Sequence, residues 1–210
     1  MDLFLRSLPL FLKGMQMTIQ VLLSAAALSF TLGIIFGILT CHRLKVPILS
    51  PVIELITFVY RAVPFYVQLL IVYFVLPLHL EPFSASILAL GMCSSGYVAQ
   101  IVRAGINSIP VAQWEAALTL GYTKVQTVQS IILPQMVRNI LPAFNNELDS
   151  LLKSTAIVSS IGLLELTRAG MNLVSREGEP VPIYLMVALF YLCLSGVLNL
   201  ITRIVERKIC

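Results

Sequence analysis

The chain has 210 residues, is 58% hydrophobic and 11% charged, and has a mean hydropathy of +0.93, more apolar surface than a water-facing globule of this size can hide. Its 14 Lys and Arg against 10 Asp and Glu leave a net charge of +4, but the bases are scattered between apolar runs, which excludes the basic stripe of a nucleic-acid-binding protein. Apolar runs of membrane-spanning length recur throughout and predict one all-α, polytopic membrane domain over 1–210, with the lipid bilayer as its solvent.

The first run carries no charge from Gly14 to Cys41, 28 residues, and is stopped by His42, Arg43 and Lys45. Arg6 and Lys13 precede it, but the run is too long for a signal-peptide core, so it is read as a retained span. Gly33 and Gly37 stand in GxxxG spacing, which lets two helices approach closely. Pro47 and Pro51 are expected to break the connection to a second span, Val52 to Leu76, which holds Glu54 and Arg61. These two lie seven apart on one helical face, which predicts an ion pair with each other or with a neighbouring span. After a loop of Pro77, His79, Glu81 and Pro82 comes a third, uncharged span, Phe83 to Val102. Its Gly91, Ser94, Ser95 and Gly96 suit a helix packed among helices.

From Asn107 to Arg138 the chain turns polar and amphipathic, and this segment is expected outside the bilayer core. A fourth span is placed at Met136 to Ile161, although it holds Arg138, Asn139, Asn145, Asn146, Glu147, Asp149 and Lys153. Gly162 to Pro182 reads as a polar connector, and Ile183 to Thr202 as a fifth span closed by Arg203, Arg207 and Lys208. Five spans put the termini on opposite sides. Arg43, Lys45, Lys124, Arg138, Arg203, Arg207 and Lys208 fall on the C-terminal side, against Arg6, Lys13, Arg168 and Arg176 on the other. The bias predicts a periplasmic N-terminus, a cytoplasmic C-terminus and a cytoplasmic 107–138 segment.

A charge at the bilayer centre costs about 2.5–3.5 kcal/mol even on the lenient insertion scale, so the polar residues of span four need partners. At about 100° per residue, Asn139, Asn146, Glu147, Ser150, Lys153 and Ser154 share one arc, which should face protein or water. Asp149 and Lys153 are spaced for an i,i+4 pair. Glu147 has no such partner on its own helix. It either lines a path and meets the positive group of a passing solute, or pairs with a base of another span or subunit. Arg103, near the end of span three, either snorkels to the interface or holds a solute carboxylate. Cys41, Cys93, Cys193 and Cys210 lie far apart with no metal or CxxC spacing.

The polar segment reads Glu115, Ala116, Ala117, three residues, Gly121, nine residues, then Ile131, Ile132, Leu133, Pro134. The alanines leave a short helix with a flat face, Gly121 permits a left-handed turn, and Pro134 is expected to stop the following helix. This resembles the EAA signature of ATP-binding-cassette importer permeases at every fixed position. The polar amino-acid branch is resembled further by Tyr60 to Pro64 with Gln68, by Tyr97 to Ile106, and by Asn146, Glu147, Leu151, Leu152, Lys153 and Thr155. Ala62, Val63 and Gln100 depart from the branch, and Gln100 removes a charge where Glu is common.

The resemblance implies a type I importer permease fold: five transmembrane helices with a cytoplasmic coupling-helix segment at about 110–134. It implies that Glu115, Ala116, Ala117, Gly121, Leu133 and Pro134 form an elbow docked on a separate ATPase subunit. Glu147, Arg103, Ser150, Asn146 and Gln100 are the candidate substrate-contacting residues. The implied protein is a multi-pass component of the bacterial inner membrane carrying a polar, basic or zwitterionic amino acid. It would be paired with a second permease, a copy of itself or a paralogue, and served by a periplasmic solute-binding protein. It is expected to be no enzyme and to hold no cofactor or metal, since it lacks a Walker A sequence, HExxH and GxSxG, and ATP would be bound by the partner. The rival reading, an ion-coupled secondary transporter using Glu147 and Asp149, is disfavoured by five spans without an inverted repeat.

Overall fold

The computed structural model describes residues 2–41 and 47–209, and every regular element among them is helical. Three helices are each long and apolar enough to cross a bilayer: α1 (Asp2–Thr40), α4 (Pro82–Asn107) and α9 (Pro180–Ile209). Two further passes are bent. The first joins α2 (Leu49–Ala62) to α3 (Phe65–Leu70), which runs on as a π-helical turn over Ile71–Val75, and the bend between them is 103°. The second begins at α6 (Lys124–Thr127), widens through a π turn at Val128–Ile132, and continues as α7 (Leu133–Ser154) and a 3₁₀ stretch at Thr155–Ile161. It meets α8 (Leu166–Glu177) at 47°. The short α5 (Val111–Thr119) lies between α4 and α6. With each bent pair taken as one pass, the described residues hold up to five candidate spans.

Several expected boundaries move. The first helix starts at Asp2, not Gly14; its 39 residues reach about 58 Å, well beyond a hydrocarbon core of about 30 Å. The His42, Arg43 and Lys45 stop lies outside the described residues. Pro51 does not break the connection, because it sits in the first turn of α2, where its missing N–H has no helical acceptor to lose. The second span is not one straight helix: Pro64 cannot continue α2, and the chain turns there. The supposed polar connector contains the amphipathic α8. Pro134 starts α7 instead of ending a helix. A proline ring clashes with the carbonyl one turn back, and the π turn at Val128–Ile132 lies just where that carbonyl would be.

The centre of the fold is the α1–α4 pair. Ser29 meets Ser94, Gly33 meets Val98 and Gly37 meets Val102, every pair 65 residues apart, so the helices run parallel and in register. A Cβ on Gly33 would stand 2.5 Å from the Val98 Cβ, and one on Gly37 2.7 Å from the Ala99 carbonyl oxygen. The GxxxG spacing is therefore a helix contact that no larger residue fits. At one end, Trp114, Ile106, Ile109, Ile132 and Met136 close the core beneath α5. At the other, Phe11, Leu166, Leu173 and Ile183 join α1, α8 and α9. There the wholly buried Glu165 caps α8, accepting from the Thr167 and Arg168 amides at 2.8 and 2.7 Å and from the Tyr191 hydroxyl at 3.0 Å.

Candidate functional site

The chain carries an elbow at one end of the bundle and two open chambers along α4 and α7. The elbow begins where Pro110 opens α5. Trp114 and Ala117, one turn apart, are buried against the bundle at 6% and 1% exposure, whereas Glu115, Ala116, Leu118 and Leu120 face outward. The two alanines thus do different work: Ala117 fits against the core, and Ala116 leaves the outer surface low. Gly121 has φ of 86°. Its amide donates to the Leu118 carbonyl at 3.0 Å and that of Tyr122 to Ala117 at 3.1 Å, the paired bonds of a Schellman ending that favours glycine. Thr123 then caps α6 through a reciprocal bond with Gln126. Leu133 and Pro134 are exposed at the start of α7.

The larger cavity, about 760 Å³, lies between α4 and α7 on the elbow's side and is lined by Tyr97, Gln100, Ser108, Asn139, Asn146 and Glu147. A second, about 440 Å³, is lined by the irregular 61–65 segment together with Ser94, Tyr97, Glu147, Ser150 and Ser154. Tyr97 and Glu147 line both, so the two chambers meet at these residues. The polar arc of span four accordingly lines these two open chambers along most of its length. Non-helical backbone within a span is tolerated where it lines a cavity, and the break at Pro64 lines the smaller chamber. Gln68 steadies it, its Nε2 donating at 2.7 Å to the carbonyls of both Tyr60 and Val63.

Glu147 is held from α4 and α1: the Ser94 hydroxyl donates to its Oε1 at 2.6 Å, and the Ser29 hydroxyl donates to Ser94 at 2.8 Å. Asn146 and Gln100 line the larger cavity, Ser150 the smaller. Arg103 is not brought to Glu147. It stands 3.6 Å from Glu54 of α2 and lines neither large cavity. Glu54 therefore finds a partner on a neighbouring span, one of the two expected arrangements. Arg61 instead donates from Nη1 to the Gln100 side-chain oxygen at 2.7 Å and from Nε to the Thr57 carbonyl at 3.3 Å. Asp149 and Lys153 form the expected pair at 2.6 Å, and Asp149 also accepts from Ser195 of α9. One turn earlier, Asn145 donates to Glu206, so these polar residues tie α7 to α9.

Sequence reasoning did not place Arg61 and Ser94 on the wall of the smaller chamber, having read the first as an ion-pair partner and the second as packing. The signal for Arg61 was the proline three residues on, inside an apolar run.

The profile of the family described as "Binding-protein-dependent transport system inner membrane component" matches residues 29–209. The arginine transport system permease protein ArtQ of Bacillus subtilis (strain 168) is 34% identical, over 96% of this chain and 93% of that protein. The glutamine transport system permease protein GlnP of Escherichia coli (strain K12) is 31% identical, over 96% and 94%. A solved structure described as an amino acid ABC transporter with histidines superposes with a TM-score of 0.89 at 32% identity, covering 98% of this chain and 96% of that one.

Proposed function

The chain belongs to the family of binding-protein-dependent transport system inner membrane components and is the permease subunit of an amino-acid ABC importer, and on that premise we propose how its parts divide the work. The α5–Gly121–α6 elbow, with Glu115, Ala116, Leu133 and Pro134 on its outer side, docks on the ATPase from the cytoplasm, which sets the N-terminus in the periplasm. The two chambers form one half of the translocation path, and a second permease subunit supplies the other half. A periplasmic binding protein delivers the cargo at the α8 end. The cargo is a polar amino acid, basic or zwitterionic, whose positive group meets Glu147, with Asn146, Ser150 and Gln100 along the walls.

The observation that carries this reading is the position of Glu147 at the junction of both chambers, its carboxylate met by a neutral serine and by no base among the described residues. A half-buried carboxylate without an opposite charge beside it is costly, and an ammonium or guanidinium in transit offsets that cost. Reconstituted with its ATPase and binding protein, the Glu147→Gln complex should assemble and hydrolyse ATP but lose or alter selectivity between L-arginine and L-glutamine. Uptake of both at wild-type rates and selectivity removes Glu147 from the path; failure to assemble marks it as a structural partner.

A further inference from the structure

We infer that Arg61 reads the α-carboxylate of the transported amino acid, and that the neutral Gln100 beside it leaves its charge available for that purpose. The inference rests on the reading of Glu147 as a path residue and adds the opposite pole of the same site.

The ionic groups on or beside the wall of the 440 Å³ chamber sort into two kinds. Arg103 lies beside Glu54, and Lys153 is bonded to Asp149, so these charges are met by opposite charges within the chain. Arg61 and Glu147 are different. The side-chain hydrogen bonds of each are to neutral groups, Arg61 to Gln100 and the Thr57 carbonyl, Glu147 to Ser94. Arg61 shares a small cleft with Glu54, whose ion pair is made to Arg103. Both line the 440 Å³ chamber, yet no ion pair joins them among the described residues. A chamber walled by apolar side chains such as Phe65, Leu90 and Leu151 therefore carries a cation at one place and an anion at another.

Two partly buried opposite charges on one chamber wall without mutual contact each lack a counter-charge, and a zwitterion, with opposite charges on one small body, meets both at once. The chamber volume falls in the range of about 300–1,000 Å³ usual for small-molecule sites. The geometry of Arg61 suits its role. Two of its nitrogens are already bonded, which fixes the plane of the guanidinium, and Nη2 has no protein acceptor among the described residues. A planar fork held in one orientation is the group best matched to a carboxylate. The class recognised is thus an amino acid with a free α-carboxylate, and amines that lack it are excluded.

The test uses the purified permease–ATPase complex in nanodiscs without the binding protein, so that only the permease reads the cargo. Binding of L-arginine, L-glutamine and L-histidine is titrated against their decarboxylated counterparts agmatine, 4-aminobutanamide and histamine. A charge-assisted hydrogen bond is worth about 1.5–3 kcal/mol, so the carboxylated probe should bind about ten- to a hundredfold more tightly. Gln100→Glu places a carboxylate against Arg61, and should shrink that preference to a few-fold while keeping or raising the melting temperature. Arg61→Gln should do the same, and Arg61→Lys should retain part of it. Equal binding of a carboxylated probe and its counterpart by the unmodified complex, or full preference in Gln100→Glu, overturns the role of Arg61. If Glu147→Gln still alters affinity for the positive group, the reading of Glu147 survives that failure. Absence of binding by all three carboxylated probes overturns both.

Discussion

Trp114→Ala should loosen the elbow without removing it. Trp114 is 6% exposed and packs with Ile106, Ile109, Ile132 and Met136, which belong to the C-terminal end of α4, the loop after it and the start of the bent pass. An aromatic side chain of this size buries about 150–250 Å², worth about 4–6 kcal/mol at about 25 cal/mol per Å². That is an upper bound, and observed truncations of buried Phe and Trp cost about 3–5 kcal/mol. The nine residues of α5 are too few to hold a helix by themselves, so most of the loss falls on the docking of the elbow against the spans. A loss of about 3 kcal/mol raises the undocked population on the order of a hundredfold. The spans, packed elsewhere, should stay inserted. In proteoliposomes the expected result is persistent ATP hydrolysis with the ratio of amino acid imported to ATP consumed reduced at least severalfold. Trp114→Phe, which refills most of the volume, should recover the larger part. A wild-type transport ratio in Trp114→Ala refutes the reasoning, since the elbow would then transmit motion without its anchor.

Other consequences follow from positions where the backbone leaves no choice. Gly37→Leu should lower the melting temperature and yield of the purified protein, since its Cβ meets the Ala99 carbonyl at 2.7 Å and overpacking costs about 1–3 kcal/mol; Gly196→Ala, with nothing within 4 Å of the added carbon, is the control and should change neither. Gly121→Pro should leave the protein inserted but uncouple transport from hydrolysis, because φ of 86° lies outside what proline adopts and the amide bonded to Leu118 is lost. Glu115→Lys should uncouple in the same assay by reversing a charge on the outer face of the elbow, with no change in melting temperature; normal coupling in either variant dissociates this segment from the ATPase.

How far the sequence could be read is seen best on span four. The arc shared by Asn139, Asn146, Glu147 and Ser150 followed from helical periodicity, and these residues do line the two open chambers. The i,i+4 spacing of Asp149 and Lys153 likewise became a bonded pair. Local rules sufficed because helix geometry alone decides which of these residues are neighbours. Contacts between helices were beyond such rules. That Ser94 would bond to Glu147, or that Arg103 would take Glu54 and leave Arg61 to Gln100, depends on the register and rotation of α2, α4 and α7. One sequence fixes neither. Helix ends were legible only where a proline or glycine acts in its common role. Gly121 does, but Pro134 begins a helix after a π turn, a form of relief that leaves no periodic trace.

The central claim, that the outer face of α5 is the cytoplasmic dock for the ATPase, is tested most directly by labelling a single cysteine at Ala116. The side chain is exposed, so Ala116→Cys in a cysteine-free background should accept a membrane-impermeant maleimide without disturbing the core. The expected result is labelling in inverted membrane vesicles stripped of the ATPase, protection when the purified ATPase is added back, and no labelling from outside intact spheroplasts. Labelling from outside, or labelling from inside that the ATPase leaves unchanged, contradicts the account.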